Sequence, residues 1–307
     1  MPTTPFPSVI DSSLLSHFRA CRRKAYLESF LHWKPKVRSV HLHAGAAFAK
    51  GLEVARLAFY EQGLGEAEAV AAGLGALIQA YGDFECPPDS AKSLERMCGA
   101  YEFYFSCYPM PTDSAKPARL PGGRSGIEFS FVEPIDVLHP VSGDPILYSG
   151  RFDMIAEYAG GLYGDDEKTT SQLGATWPKQ WDLRSQFTAY TWGARRAGIH
   201  LEGFLVRGIS ILKTKYDTLQ AITYRPQWLV DEWYEKMLAE VRAMAQCWET
   251  DTWAPDLDEA CTSYGGCSFR KVCMTEPERR VVWLQQDFQR RAWDPVTRVE
   301  TVVEGEA

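Results

Sequence analysis

The distribution of cysteines constrains this chain more than any other feature. Cys21 stands alone near the start, while Cys261, Cys267 and Cys273 crowd together near the end. If these thiols serve one metal centre, the fold has to bring the two ends of the chain together. Four thiolates hold zinc or an iron–sulfur cluster. Structural zinc sites favour tight Cys-x2–4-Cys knuckles, whereas here five residues separate each successive pair of the triplet. The longer gaps suit a larger 4Fe–4S cluster better. Gly265 and Gly266 lie inside the triplet, a pattern foreign to core filler. Cys86, Cys98, Cys107 and Cys247 fall on or beside expected helices and read as packing residues.

With 307 residues the chain is long enough to bury a full core. Its 45% hydrophobic and 24% charged content is that of an ordinary globular protein. No apolar run reaches membrane-spanning length, so no membrane partner is expected. The opening residues lack the basic and apolar regions of a secretory signal. Reduced thiols or metal ligands are therefore expected in place of disulfides. A net charge of −7 argues against a non-specific basic nucleic-acid coat. It leaves room for a local basic groove beside active-site carboxylates.

Hydrophobic periodicity predicts helices over residues 12–33 (capped by Ser12 or Ser13), 44–62, 67–81 and 90–108, then a loop over 109–126. Strands follow at 127–132, 146–158 and 162–168, with turns at Ser142-Gly143-Asp144 and Gly160-Gly161. A helix over 181–197, strands at 201–212 and 218–224, and a helix opened by Pro226 and reaching about residue 248 complete the pattern. The triplet falls in the coil beyond, and the last dozen residues read as a frayed tail. The expected class is α/β: a sandwich with a central mixed sheet, a helical N-terminal region and a cysteine-clasped C-terminal segment. The organisation read from this is a helical region 1–126 carrying the Cys21 helix, a core 127–225, and a C-terminal helix, cysteine segment and tail 226–307, integrated as one domain.

The chemistry gathers in the middle. Gly150-Arg151-Phe152-Asp153 precedes Asp166-Glu167-Lys168, and Gln186 and Tyr190 follow. Period-two geometry puts Asp166 and Lys168 on one side of a strand and Glu167 on the other. Asp153, on the preceding strand, comes beside Asp166 if the two strands pair antiparallel. Two converging carboxylates repel unless a cation sits between them, and Mg²⁺ is suited to oxygen ligands. A neighbouring lysine can orient an attacking water and stabilise a phosphorane-like transition state. Gln186 and Tyr190 share a face one turn apart. Taken alone, an Asp-x-Lys triplet is also what a solvated hairpin edge looks like, and Tyr190 reads equally as a half-buried core residue.

Asp153, Asp166-Glu167-Lys168 and Gln186-Phe187-Thr188-Ala189-Tyr190 together resemble the PD-(D/E)XK nuclease superfamily, in its RecB-like branch with a Gln-x-x-x-Tyr motif, which implies a restriction-endonuclease-like core. Cys21 in Phe18-Arg19-Ala20-Cys21 and the Cys261–Cys267–Cys273 triplet resemble a subset of that branch bearing a 4Fe–4S cluster. That subset includes AddB-type nucleases, exonucleases of CRISPR adaptation and phage proteins. The resemblance implies Mg²⁺ or Mn²⁺ held by Asp153, Asp166 and the backbone carbonyl of Glu167, with Glu53 as a further ligand or anchor. It implies a catalytic Lys168 supported by Gln186 and Tyr190, and a cluster on Cys21, Cys261, Cys267 and Cys273. It also implies DNA as substrate, cut at ends or in single strands, in the cytoplasm of a bacterial or phage-infected cell; any helicase or recombination partner is unspecified. One departure stands out: the family's second helix carries Gly-x-x-x-His-x-x-Leu-Glu, whereas this chain reads Gly45-Ala46-Ala47-Phe48-Ala49-Lys50-Gly51-Leu52-Glu53, with Ala49 in the histidine's place. On a helix beginning at residue 44, His41 and His43 point elsewhere. Glu128 is a weaker candidate for a supporting acid. The alternatives are a weakly active or inactive DNA-binding or assembly subunit of the same fold, and an iron–sulfur redox protein.

Overall fold

A computed structural model describes residues 4–262 and 266–303. Residues 263–265 of the cysteine segment and 304–307 of the expected tail lie outside it. The fold is mixed α/β. It comprises two compact units, each assembled from discontinuous segments: Met1–Val37, Val132–Gly150 and Asp231–Ala307 in one, Arg38–Phe131 and Arg151–Val230 in the other. Among the described residues no helix is long and apolar enough to cross a membrane.

The second unit is built on a five-stranded sheet in the order Lys116–Pro117, Met154–Tyr158, Gly161–Thr170, Gly203–Ile211, Tyr216–Tyr224. Gly161–Thr170 and Gly203–Ile211 run parallel; the other neighbouring pairs are antiparallel. A parallel pair needs a crossover, and helix Ser185–Arg196 lies in the connection. Gly203–Ile211 is buried along its whole length, which is why it reads as an almost continuous apolar run.

Alternation decides which side chains meet which helices. Ile209 and Ile211 share a core with Phe48, Leu52, Leu77, Tyr101 and Tyr104 of helices Val40–Arg56, Glu66–Tyr81 and Leu94–Cys107. Phe204, of opposite parity, faces the other way. There it stacks on Phe187 of helix Ser185–Arg196 at 4.6 Å and on Phe152 at 6.0 Å. Gly193 of the same helix lets the Phe131 ring pack directly against its backbone, because a Cβ there would stand 2.2 Å from that ring.

The segment expected as one strand over 146–158 is two strands, Pro145–Arg151 and Met154–Tyr158, in different sheets. Phe152 causes the break: its ring is buried against Tyr190 and Phe204, and its N–H bonds to the Phe129 carbonyl at 2.9 Å. Asp153 sits at that break, just before the second strand.

In the first unit, the helix expected over 12–33 stops at Ala20 and resumes at Arg22, because Cys21 is extended (φ −169°, ψ 123°). Its cap is Asp11, whose Oδ1 accepts from the Leu14 N–H at 2.8 Å, and neither Ser12 nor Ser13. The C-terminal region is more ordered than coil and tail. Helix Arg280–Asp287 leads into strand Phe288–Asp294, which pairs antiparallel with both Trp33–Pro35 and Val299–Val302. Phe269 stacking on Phe288 at 4.7 Å, with Leu27, Trp33 and Leu284 around them, drives this closure. Early and late segments of the chain are thereby joined by backbone hydrogen bonds.

Candidate active site

Strand Gly161–Thr170 carries charge on both faces. Its register with Met154–Tyr158 pairs Met154 with Asp165, so Asp153 arrives beside Asp166. The Lys168 ammonium forms an ion pair with Asp166. Burial works against that charge, but Asp166 and Asp153 together outweigh it and raise the Lys168 pKa. The same count leaves two carboxylates on one ammonium. Asp153 is accordingly pushed up to about 7, by burial first and by Asp166 second. Tyr190 adds to the field on Lys168, and the Gln186 Nε2 donates to the Tyr190 hydroxyl at 3.2 Å. The structure thus brings Asp153, Asp166, Lys168 and Tyr190 together, with Gln186 bonded to Tyr190.

Glu53 forms an ion pair with Lys50 at 2.7 Å. It is close enough, with Asp153, to help burial raise Glu128 to about 7 against the opposing Arg151. Glu128 lies outside any strand at φ +54°, paired to Arg151 at 2.9 Å.

The Glu167 side chain takes the opposite face. It accepts from Arg56 and from the Tyr104 hydroxyl, the latter at 2.8 Å. Arg56 overcomes the effect of burial and holds the Glu167 pKa below the usual carboxylate range. Asp165, fully buried on this face, lies 3.5 Å from Arg56 and 4.0 Å from Arg207. Arg207 in turn grips Asp113 through both terminal nitrogens at 2.6 and 2.8 Å. Burial nonetheless pushes Asp165 up to about 7, the arginines opposing. None of Arg56, Arg207, Asp165, Tyr104 or Asp113 was expected from the sequence as part of this site. A signal existed for two. Arg56 continues the Phe48, Leu52 stripe at i+4, and Arg207 interrupts an otherwise apolar strand.

A cleft of about 540 Å³ opens at the carboxyl end of this strand, lined by His41, Gly45, Ala49, Lys92, Asp153, Lys168 and neighbouring residues. The helix expected from residue 44 in fact starts at Val40. That extra turn puts His41 on the cleft with Gly45 and Ala49, one turn apart each, so the expectation that it points away is corrected. His43 does turn away, stacking on Phe84 at 4.2 Å. Lys92 is 4% exposed, and burial lowers its pKa to about 8.

The four cysteines of the sequence pattern are free thiols in the first unit. The Cys21 sulfur accepts from the Asp256 N–H at 3.3 Å, and the Cys261 thiol donates to the Asp256 carbonyl at 3.8 Å. Burial, with the neighbouring Cys273 and Cys21 thiols, pushes the Cys267 thiol up. Among the described residues, no three or more His, Cys, Asp or Glu side chains are gathered as ligands of one metal ion. Two carboxylates short of positive charge still fit a hard divalent cation, which commonly binds through one or two carboxylates plus water and substrate oxygens.

No protein-family model matches the chain, and no curated protein matches its sequence. Among solved structures the chain is similar to one from Eubacterium rectale called "Putative exonuclease". The identity is 14% and the TM-score 0.48, over 83% of this chain and 86% of that one. It is also similar to the structure named SSO0001, at 14% identity and a TM-score of 0.32, over 73% of this chain and 84% of that one. Likenesses at this level carry no weight for the function.

Removing Arg56 strands the buried carboxylate of Glu167. Arg56→Met is expected to destabilise the protein by about 3–5 kcal/mol, measured by urea denaturation. Lys92 behaves oppositely. Its folded pKa lies below the ordinary lysine value of about 10.4, so the unfolded chain holds the proton more tightly. Burial of Lys92 therefore costs stability below about pH 8, a cost that fades as pH rises to about 10.4. Lys92→Met should raise the melting temperature at pH 7, with a gain that shrinks above pH 8 in calorimetry.

Proposed function

We propose that the protein is a metal-dependent deoxyribonuclease of the PD-(D/E)XK type, hydrolysing phosphodiester bonds at DNA ends or in single strands. The observation that carries this reading is Lys168, whose one ammonium serves both Asp166 and Asp153 beside an open cleft. Asp153 and Asp166, with the backbone carbonyl of Glu167, would hold Mg²⁺ or Mn²⁺; when bound, the ion supplies Lewis-acid polarisation of a phosphoryl oxygen. Lys168 orients the attacking water and places positive charge where the transition state gathers negative charge. Gln186 would fix the lysine or a phosphate, backed by Tyr190, to whose hydroxyl its Nε2 donates. Glu167 contributes its backbone alone, since its carboxylate is committed to Arg56.

Cys21, Cys261, Cys267 and Cys273 would hold a 4Fe–4S cluster that ties early and late segments of the first unit. Four free thiols are the donor set such a cluster takes. DNA is the proposed partner, and the cytoplasm of a bacterial or phage-infected cell the proposed setting. Ala49, facing the cleft without a ligating side chain, favours as second reading a weakly active or inactive DNA-binding subunit.

Lys168→Ala is expected to lower kcat by roughly 10²- to 10⁴-fold in Mg²⁺ or Mn²⁺, while leaving DNA affinity near that of the wild type. Wild-type protein that binds DNA and cuts it with neither metal would replace the enzyme with the second reading. Anaerobically purified protein should contain iron and acid-labile sulfide, both lost in Cys21→Ala. Zinc without iron would overturn the cluster and spare the thiol site.

A further inference from the structure

We infer that Lys92 and Thr169 form a phosphate subsite in the cleft, which takes a non-scissile phosphate of the nucleic-acid strand. This inference rests on the nuclease reading above and deepens it.

Lys92 is the least expected charge in the second unit. Its residue is 4% exposed, yet among the described residues no carboxylate pairs with it, and burial alone shifts its pKa. Its Nζ bonds to the Thr169 Oγ1 at 2.9 Å and the Thr169 carbonyl at 3.4 Å, both neutral acceptors. An ammonium has three N–H donors, so at least one remains for a ligand. The backbone around it is fixed: the Tyr81 hydroxyl donates to the Lys92 carbonyl at 2.7 Å, and the Lys92 N–H donates to the Ser90 Oγ at 3.2 Å.

Both Lys92 and Thr169 line the same cleft as Asp153 and Lys168, with Thr170 and Ser171 adding hydroxyl-bearing residues. A purely structural tether between this loop and Thr169 needs no charge. Burying an ammonium against neutral oxygens is costly, and burial has already weakened its hold on the proton. An anion arriving from solution offsets that cost and gains a charge-assisted hydrogen bond. The charges lining the cleft select where the anion goes: Asp153 repels it, Lys168 is already paired with Asp166, and Lys92 attracts it without a carboxylate to compete. Among anions, phosphate matches a lysine held beside a threonine hydroxyl on the wall of the same cleft that Lys168 lines, where a phosphate flanking the scissile one would reach.

The test compares wild type, Lys92→Met and Lys92→Arg, first with inorganic phosphate and then with short single-stranded DNA in the absence of divalent metal. Inorganic phosphate should raise the melting temperature of the wild type by ligand linkage and leave Lys92→Met unmoved. Affinity for DNA should fall by on the order of ten- to a hundred-fold in Lys92→Met. Its dependence of log K on log salt should become shallower by about 0.7, with Lys92→Arg retaining part of both. Oligonucleotides bearing a 5′-phosphate, a 3′-phosphate or neither separate an end-reading site from an internal one. Selective loss of the advantage of one phosphorylated end in Lys92→Met marks the former, and equal loss for all three the latter. Equal phosphate shifts in wild type and Lys92→Met, or equal DNA affinity and salt slope, would overturn the subsite even in an active nuclease. A wild type that responds to phosphate but binds no DNA would instead remove the nuclease reading.

Discussion

The ion pair between Glu167 and Arg56, seconded by the Tyr104 hydroxyl, fixes which way strand Gly161–Thr170 faces. In a strand, side chains alternate, and a slip of one residue would exchange the two faces entirely. With Glu167 clamped on the helical side, Asp166 and Lys168 have to point to the other. The pair is buried, so it is weak evidence of stability in itself. Its value lies in register: a slip that placed Asp166 and Lys168 on the helical side would take both Asp165 and Glu167 away from Arg56 and set a second cation, Lys168, beside it in the core.

Among the described residues, each of the two ion-pair clusters on that strand holds one carboxylate more than the cations paired within it. On the helical side Asp165, Glu167 and Asp113 share Arg56 and Arg207. On the cleft side Asp153 and Asp166 share Lys168. Asp165 on one side and Asp153 on the other are pushed up to about 7, and burial raises Asp166 beside Asp153 as well, against the pull of Lys168. The difference between them is access. Asp165 is 1% exposed, so a proton is its available remedy. Asp153 lines an open cleft, so a cation from solution can take the proton's place. The same deficit is structural on one face and useful on the other.

Much of this was legible in the sequence because period-two alternation is a strong rule. The facing of Asp166 and Lys168, the opposition of Glu167 and the arrival of Asp153 from the preceding strand all follow from it. The Gln186–Tyr190 contact follows equally from helical spacing. What escaped depended on tertiary partners. Arg56 and Arg207 stood out as charges in apolar stripes, but nothing local names Glu167, Asp165 or Asp113 as their counter-ions. His41 was misplaced because a helix start four residues earlier rotates nothing yet adds a turn. The break at Phe152 is set by ring packing against Tyr190 and Phe204, and the strands near the C-terminus by pairing with Trp33–Pro35. Lys92 carried no sequence signal at all; a lysine before a helix ordinarily lies in water.

The central claim is that Asp153 and Asp166 form a divalent-cation site whose charge deficit Lys168 only half fills. The most direct measurement is Mn²⁺ binding followed by electron paramagnetic resonance on wild-type protein and Asp166→Asn, without nucleic acid. One saturable ion per chain in the wild type, lost or strongly weakened in Asp166→Asn while Glu53→Gln retains it, is the predicted result. Binding that is absent in the wild type, or unchanged by Asp166→Asn, would contradict the account.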